Sequence, residues 1–461
     1  MHQTRAARHM TPRARLSAHR PSGYARRIAQ LVVALALTLG PAATSKSQSP
    51  SAPATPATDS ALFERGELTG NWGGLRTKWK NKGLEVLSSV SQFYQGVASG
   101  GLDTTSSEYN GNAQLELKFD LQKLARWKYW SLDAKAELRF GGPLPRGVGS
   151  INPVNTAVII PAPDGTVLAI TSLNVTKLIP VNLAKGELVA LSLGRFNLLD
   201  LIQEDFFAGG GVERFFNLAQ IGPLTVVPAV PLITNAVSLA YVHGDEVLAT
   251  LAVMDPNDHS LDAGLSDPFA DGVTFSPGIN FPVKYFGKSA KHSIGGAITT
   301  KAVTPFDAIP QLILPGPPLR PVTPQRGSWS MFYTFRQYIV ERGKHDGWGF
   351  FAQVSGANRS TSPITAFVDL GLGGNGLFTK RTGDEFGIAY AYTDLSKDLK
   401  DNLDLLPFLN RRLRAEHQVE LFYNLHLTPW FQLTGDLQVI RPNRPIASTA
   451  IVPGARLRVV F

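Results

Sequence analysis

Polar and apolar residues alternate with a period of two in many segments of this chain. From Ser131 to Phe140, the odd positions hold Ser, Asp, Lys, Glu and Arg, whereas the even positions hold Leu, Ala, Ala, Leu and Phe. Similar alternation covers residues 114–119, 416–427, 431–439 and 456–461. Successive side chains of a β-strand point to opposite faces, so these segments predict strands with one apolar and one polar face.

Two architectures contain such strands. A soluble β-sandwich packs the apolar faces into a core, and a transmembrane β-barrel turns them toward lipid. The barrel is favoured because the polar faces carry charges of both signs, as a water-filled lumen permits. Aromatic residues near strand ends are also typical of the girdles at membrane interfaces. The residues in question are Trp348, Tyr390, Tyr392, Trp430 and Phe431.

The predicted fold is an all-β, transmembrane antiparallel β-barrel with a water-filled lumen. About 16 strands fit roughly 400 residues, at about 25 residues for each strand and its loops. A large periplasmic β-protein is the alternative. Short helices are predicted at Leu121–Tyr129 and around Leu399–Leu413. The uncharged stretch Phe215–Val242 is not predicted to be a spanning helix, because it contains three prolines.

Two proline-rich stretches, Pro143–Pro163 and Pro305–Pro324, interrupt the alternation. Proline removes a hydrogen bond from a strand ladder, so neither stretch predicts a central strand. Both are expected to be loops, and extracellular loops are one interpretation. One of them could fold inward and narrow the lumen, with a plain surface loop as the alternative.

Most of the net charge lies at the N-terminus. The 461 residues carry a formal net charge of +9, but residues 1–48 hold eight Lys and Arg and no acid, which leaves +1 for residues 49–461. The apolar run Leu31–Gly40 that follows is too short to span a bilayer permanently. We expect a signal peptide over residues 1–43, cleaved between 43 and 48, a flexible segment over 44–66 and the barrel over 67–461. Translation could start at Met1 or Met10.

Signatures of catalysis are weak. The chain has no cysteine, which excludes a disulfide scaffold, a thiolate metal site and a cysteine nucleophile. Gly371–Gly376 fits the dinucleotide pattern G-x-G-x-x-G, but an alternating strand follows it where a helix would be needed. No P-loop, G-x-S-x-G or H-E-x-x-H sequence occurs. We therefore expect no catalytic residue, metal site or cofactor, and a nearly neutral mature chain is not expected to bind nucleic acid.

Five groups of residues follow one another along residues 68–461. They are Leu68–Arg76 with Gly83, Gly194–Asn197 with Asp200, Val253–Pro256 with Gly347–Phe351, Gly376–Asp384 with Gly387, and the closing stretch from Glu416 to Arg458. In this order they resemble the carbohydrate-selective porins of the OprB family. Asn71 departs from the family pattern, which usually has Asp there, and Arg441–Pro445 lacks the usual Asn-Pro-Gly turn.

The resemblance implies an outer-membrane porin that lets small sugars diffuse passively, with carbohydrate selectivity, into the periplasm. Its partners would be small sugars, bound weakly and transiently, and outer-membrane lipid, and both a monomer and a homotrimer are compatible with it. A general or differently selective porin on the same barrel is the main alternative. An outer-membrane enzyme or adhesin that uses the barrel as an anchor is a further one.

Charged side chains on the polar faces are candidates for the channel wall, because charged groups bind sugar hydroxyls more strongly than neutral ones. Alternation selects Glu116, Lys118, Asp133, Lys135, Glu137, Arg139, Arg336, Glu416 and Glu420, and the family-like segment adds Arg195. Glu137 and Arg139 lead, since residues i and i+2 share one strand face and the family's channel-narrowing residues tend to lie early in the chain. The N-terminal family motif contributes Trp72, Gly73, Gly74 and Arg76. For Trp72 and Arg76 a structural, anchoring role is favoured over plugging the channel.

Overall fold

The computed structural model describes residues 62–142, 146–159, 165–203, 205–226, 228–310, 323–405 and 412–461. The predicted signal peptide and residues 44–61 of the predicted flexible segment lie outside these ranges. Parts of both proline-rich stretches, and part of the helix predicted around Leu399–Leu413, also lie outside them.

The chain is built mainly of strands. They are β1 Leu84–Gly96, β2 Ser99–Gly101, β3 Ser107–Asp120, β4 Trp130–Gly141, β5 Val167–Asn182, β6 Glu187–Asn197, β7 Ile233–His243, β8 Glu246–Met254, β9 Thr274–Tyr285, β10 Lys288–Val303, β11 Gln325–Gly343, β12 Asp346–Ala357, β13 Ile364–Asn375, β14 Glu385–Leu395, β15 Glu416–Thr428, β16 Phe431–Arg441 and β17 Ser448–Val460.

The helices are short. The α-helices are α1 Leu75–Lys82, α2 Leu121–Ala125, α3 Leu198–Gln203 and α4 Lys397–Asp404, and the 3-10 turns are Leu62–Glu64, Arg146–Val148, Thr156–Val158, Leu183–Lys185, Leu218–Gln220, Leu224–Val226 and Phe306–Ala308. The helix predicted at Leu121 begins there, with the Asp120 side chain accepting two backbone N–H bonds, and it ends at Arg126, whose φ is 60°. Among the residues described, no helix has the length and apolar character needed to cross a membrane.

Sixteen of the strands close into an antiparallel barrel, as predicted. Each long strand pairs with the next along the chain, and β17 returns to pair with β1 from Ser89 opposite Val460 to Gln95 opposite Gly454. The three-residue β2 adds only to β17. A closed ring satisfies its backbone groups internally and leaves no open sheet edge, which the interior of a bilayer requires.

Burial along β16 decides between the barrel and the sandwich. Its polar residues Thr434, Asp436 and Gln438 are 1%, 7% and 0% exposed, whereas Leu433 and Leu437 are 39% and 41% exposed. A soluble sandwich would bury the leucines. The apolar face therefore points outward and the polar face points into the lumen, as in transmembrane barrels.

The two ends of the barrel differ in their connections. At one end, which we call the short-turn end, two-residue turns join β7 to β8, β9 to β10, β11 to β12 and β15 to β16. At the other, the long-loop end, connections run over residues 142–166, 198–232 and 255–273. Outer-membrane barrels carry short turns on the periplasmic side and long loops on the extracellular side.

Two of the long connections fold into the lumen. We call residues 147–159 the first inward segment and the described part of residues 198–226 the second inward segment. They are joined to each other by the N–H of Thr156 donating to the Phe216 carbonyl at 2.7 Å and the N–H of Leu218 donating to the Pro153 carbonyl at 3.0 Å. The described part of the proline-rich stretch Pro143–Pro163 thus folds inward. Part of the uncharged stretch Phe215–Val242 also folds inward, although the sequence predicts only that this stretch is not a spanning helix.

The second inward segment places an apolar core inside the polar lumen. Phe215 packs edge-on against Phe351 of β12 and Phe422 of β15, with ring centroids 5.9 and 4.8 Å apart. All three rings are at most 1% exposed. Burying each large side chain contributes about 1.5–3 kcal/mol, so these contacts hold the segment against the wall opposite β4.

Candidate functional site

Glu137 is the centre of a hydrogen-bond network on the inner face of β4. Its Oε1 accepts from Thr171 Oγ1 and Asn197 Nδ2, both at 3.0 Å, and lies 3.1 Å from Lys135 Nζ. Its Oε2 accepts from Asn112 Nδ2 at 3.0 Å. Hydrogen bonds to a carboxylate are roughly twice as strong as neutral ones, so the donors from four strands fix the orientation of this side chain.

A bulge in β5 brings one of these donors inward. Ser172 pairs with Lys135 and Ile170 pairs with Ala136, so Thr171 is an extra residue in the ladder. A β-bulge re-aims side chains next to it. Thr171 consequently points to Glu137 and is buried, whereas Ile170 is 56% exposed on the outer face.

Lys135 links the barrel wall to the second inward segment. Its Nζ lies 2.7 Å from Asp200 Oδ1, on α3, in addition to its contact with Glu137. Burial raises the pKa of Asp200 to about 6, while the nearby Lys135 opposes this rise and Glu137 adds to it. The site thus contains one cation between two acids, one of which protonates near neutral pH.

A small cavity, which we call the neck, lies beside this network. Gln114, Glu137, Asn197 and Asp200 are among its lining residues, and its volume is about 10 Å³, close to that of a single water-sized sphere, about 10–15 Å³. Gln114, Asp200 and Val212 also line a neighbouring cavity of about 310 Å³, which we call the polar cavity. The neck and the polar cavity adjoin along the inner faces of β3 and β4, and we refer to the two together as the polar passage.

Arg139 and Asn112 hold the first inward segment at this passage. Arg139, 4% exposed, donates through Nη1 to the Val158 carbonyl at 3.3 Å. Asn112 Nδ2 donates to the Ala157 carbonyl at 2.7 Å as well as to Glu137. The leading pair from the sequence, Glu137 and Arg139, therefore lies where the wall meets an inward segment.

Glu416 and Glu420 anchor the inward segments from β15. Glu416 accepts from Ser150 Oγ at 2.7 Å and from Asn152 Nδ2 at 2.8 Å, in the first segment. Glu420 accepts from the backbone N–H of Asn217 at 3.0 Å, in the second. Both carboxylates are 1% exposed, and neither is among the residues that line the neck.

Arg336 has an anchoring contact of the same kind. Its Nε donates to Asp205 Oδ2 of the second inward segment at 2.7 Å, and its guanidinium lies 5.5 Å from the ring centroid of Phe351. Burial acts to raise the pKa of Asp205, but Arg336 and the N–H groups of Phe207 and Ala208 hold it below its ordinary value. Asp205 is therefore an ionised partner of Arg336.

The remaining charged candidates do not line the neck. Glu116 lines the polar cavity and forms an ion pair with Lys118 at 3.1 Å. Lys118 and Asp133 are neighbours across β3 and β4 and line a separate cavity at the short-turn end. Arg195 donates to the carbonyls of Asp262, at 2.6 Å, and His259. It therefore fixes the β8–β9 connection.

The N-terminal motif joins the start of the chain to its last strand. Arg76 Nη2 donates to the Phe461 carbonyl at 2.7 Å, and its guanidinium lies 4.5 Å from the ring centroid of Trp72. Gly73 and Gly74 have φ values of 65° and 90°, a left-handed conformation that favours glycine. These contacts are those of an anchor at the closing seam of the barrel.

Several residues of the site are not predicted as site residues by the sequence. Asn112, Thr171, Asn197 and Asp200 bind Glu137 or Lys135, and Arg456 binds the second inward segment. Alternation places Asn112 on the inner face of β3 and Arg456 on that of β17, so polar residues on that face were a usable signal for both. The family-like group Gly194–Asn197 with Asp200 was a signal for Asn197 and Asp200, whereas nothing in the sequence signalled the bulge at Thr171. Within the described ranges, no group of three or more His, Asp or Glu side chains is arranged to hold a metal ion.

Comparison with known proteins gives a family match over most of the chain. Residues 104–461 match the family described as carbohydrate-selective porin, OprB family. Porin B of Pseudomonas aeruginosa is 24% identical over 152 residues, covering 30% of this chain and 34% of that protein. The chain thus spans about a third of the length of the relative it matches.

Solved structures share the fold. The high-pH structure of Pseudomonas putida OprB superposes with a TM-score of 0.73 at 20% identity, covering 87% of this chain and 100% of that chain. The low-pH structure of the same protein gives a TM-score of 0.51 at 15% identity, covering 87% of this chain and 99% of that chain. At these identities the likeness establishes the barrel architecture.

Proposed function

The chain belongs to the carbohydrate-selective porin family, and from this premise we propose that it lets small neutral sugars diffuse passively through the polar passage beside Glu137 into the periplasm. It is an outer-membrane β-barrel with its short turns on the periplasmic side. The observation that carries the proposal is the cluster of donors around Glu137, joined to Lys135 and Asp200, beside the neck and the polar cavity.

The chemistry of the passage suits polyhydroxylated solutes. A sugar hydroxyl both donates and accepts, so it can exchange bonds with the carboxylates of Glu137 and Asp200 and with the amides of Asn112 and Asn197. Charged partners strengthen such bonds. The passage carries both positive and negative side chains, which suits a solute without net charge. Binding must stay weak enough for the sugar to leave as readily as it enters.

The neck implies movement during passage. The proposed route requires side chains of the inward segments to shift as the sugar passes, because the neck has a volume of only about 10 Å³. Glu137 and Arg139 are the residues proposed to contact it first, because both lie at the junction of β4 and the first inward segment. Glu116 and Lys135 follow toward the short-turn end, where Glu116 lines the polar cavity.

Reconstitution tests this function directly. In planar bilayers the protein is expected to conduct ions, and glucose is expected to reduce the conductance in a saturable way. In liposome swelling, glucose is expected to enter faster than a neutral solute of the same size with few hydroxyls. Replacing Glu137 and Arg139 by Ala should change both readouts, whereas Glu85→Gln, at the exposed rim, should not.

Each alternative gives a different result in these assays. Entry rates that depend on solute size alone would replace the sugar porin by a general porin. Absence of conductance, together with hydrolytic activity that one Ser or His substitution abolishes, would favour a barrel-anchored enzyme. Absence of both, with binding to a surface, would favour an adhesin.

A further inference from the structure

A second and larger cavity lies at the short-turn end of the barrel. It has a volume of about 710 Å³ and shares no lining residue with the neck or the polar cavity. Its outer wall comes from β9, β10 and β11, and its inner wall from Asp205, Phe206 and Phe207 of the second inward segment. Phe207 packs into the apolar cluster with Phe351, so the cavity is backed by side chains and is open toward the short-turn end.

Aromatic rings form one side of this cavity. Phe206 stacks on His345, with centroids 5.6 Å apart and planes 13° from parallel, and lies 5.9 Å from Tyr338. The Arg214 guanidinium covers Phe206 at 5.2 Å, and Tyr338 Oη accepts from the His345 N–H at 3.1 Å. The rings are therefore held in place, and the exposed His345 ends the stack.

Basic side chains of β9, β10 and β11 form the other side of the cavity. Lys291 stands directly opposite Arg336 in the β10–β11 ladder, and Lys284 stands opposite Ser289 on the adjacent β9. Like charges directly opposite each other are destabilising, and Asp205 neutralises only Arg336. In the part of the chain that the structure describes, the Lys284 and Lys291 side chains have no hydrogen-bond or ion-pair partner.

The acids of the cavity balance these cations. Asp245 pairs with Lys344 at the rim at 2.9 Å, and Glu341 accepts from Ser289 Oγ at 2.6 Å. Glu246 completes the lining acids. Four acids thus face four Lys and Arg residues, so the lining is neutral overall but rich in charged donors and acceptors.

We propose that this cavity is a second carbohydrate site, which takes a neutral disaccharide from the periplasmic side. The apolar face of a pyranose ring would stack on Tyr338 and His345, and its hydroxyls would bind Lys284, Lys291 and Glu341. The volume lies within the range of about 300–1,000 Å³ that is usual for small-ligand sites, and it exceeds the polar cavity more than twofold. The inference rests on the proposed function in one respect, namely that sugars reach this end of the barrel.

Fluorine NMR can report on this cavity separately from transport. The full-length protein in detergent micelles would carry 4-fluorophenylalanine in place of Phe206, and maltose would be the probe. A saturable shift of the fluorine signal is expected, with no shift for the same label in place of the buried Phe367, and none with glycerol at equal mass concentration. Lys291→Gln should weaken maltose binding at least about fivefold, since a charged hydrogen bond is lost. Lys288→Gln, on the same strand but outside the lining, should leave it unchanged.

Planar-bilayer conductance of the same preparations separates the two proposals. No saturable shift at position 206 in a protein that conducts and is blocked by glucose would overturn the second site and leave the porin function standing. Equal shifts at positions 206 and 367, or binding that Lys291→Gln and Lys284→Gln leave unchanged, would also overturn it. A saturable shift in a protein that does not conduct would retain the site and remove the porin function.

Discussion

The guanidinium of Arg456, on the last strand, donates to the carbonyl of Gly211 at 3.0 Å across 245 residues of sequence. It also donates to the Arg214 carbonyl at 2.9 Å and to the Glu213 carbonyl. Arg456 is 1% exposed. One buried cation thus holds a turn of the second inward segment against β17, through three main-chain acceptors and through its contact with the Phe216 ring, whose centroid lies 4.7 Å away.

Replacing this residue is expected to loosen the segment. Arg456→Met keeps most of the volume but leaves buried carbonyls without a donor, at a cost of about 1–3 kcal/mol for each unsatisfied group. Single-channel recordings should show a larger and noisier conductance. Arg441→Met, on the exposed end of β16, is the matched control. A quiet channel of unchanged conductance in Arg456→Met would contradict an anchoring role.

Lys135 is expected to control the ion preference of the passage. Lys135→Met leaves Glu137 and Asp200 without their shared cation, and breaking a buried pair costs about 3–5 kcal/mol. The reversal potential in a KCl gradient should shift toward stronger cation preference. Lys118→Met removes a charge from a half-exposed pair in the same sheet and should change the reversal potential less. Equal shifts in both variants would show that Lys135 has no special place in the passage.

The passage should respond to pH through Asp200. Because burial raises the pKa of Asp200 to about 6, lowering the pH from 7 to 5 neutralises this acid and leaves the network more positive. Cation preference in a KCl gradient should therefore fall as the pH drops through about 6. Asp200→Asn should abolish this step, whereas Asp258→Asn, on the exposed β8–β9 connection, should retain it.

Asp200 is also expected to make the free energy of unfolding depend on pH. The folded protein holds the Asp200 proton more tightly than the unfolded chain, whose ordinary pKa is 3.8. Its contribution is therefore fully present below about pH 3.8 and is lost as the pH rises through about 6. The free energy of unfolding by denaturant is to be measured at pH 4 and at pH 7. The value at pH 4 minus the value at pH 7 should be smaller in Asp200→Asn than in the wild type. An identical difference would contradict the raised pKa.

Arg195 is expected to stabilise a loop without affecting transport. Arg195→Gln removes its donors to the carbonyls of His259 and Asp262, so limited proteolysis should cleave the β8–β9 connection faster. Glucose entry into liposomes should stay at the wild-type rate. A reduced rate of glucose entry, with unchanged proteolysis, would instead place Arg195 in the passage.

Arg76 is expected to hold the closing seam. Arg76→Ala loses the hydrogen bond to Phe461, the ion pair with Glu67 at 3.2 Å and the stacking on Trp72. We expect a loss of about 1–3 kcal/mol, seen as a lower temperature for the heat-dependent shift in gel migration. Conductance should be unchanged. Lys78→Ala, on the same helix, is the control and should leave the transition temperature unaffected.

Alternation predicted much of this molecule correctly because a strand in a barrel wall needs only a local rule. Glu137 and Arg139 could be placed on the inner face of β4 from parity alone. The odd or even position of a residue in a strand gives the face that its side chain points to, but neither its depth in the lumen nor its hydrogen-bond partners. By this criterion alone Glu137, Glu416 and Glu420 are equivalent candidates. In the structure Glu137 lines the neck, whereas Glu416 and Glu420 on β15 bind donors of the two inward segments.

The same limit explains why the sequence did not predict the second inward segment. Residues 215–226 lack charge and periodicity, and nothing local distinguishes a segment that folds into a lumen from one that lies on a surface. Phe215 is held inside the lumen by packing against Phe351 and Phe422, which lie more than a hundred residues away in the chain. The sequence by itself determined the barrel, its inside-out polarity and its family, because period-two alternation and motifs are local properties. Only the tertiary structure decided which connections enter the lumen and which side chains they meet, because these contacts join distant strands to two connections that share the same interior.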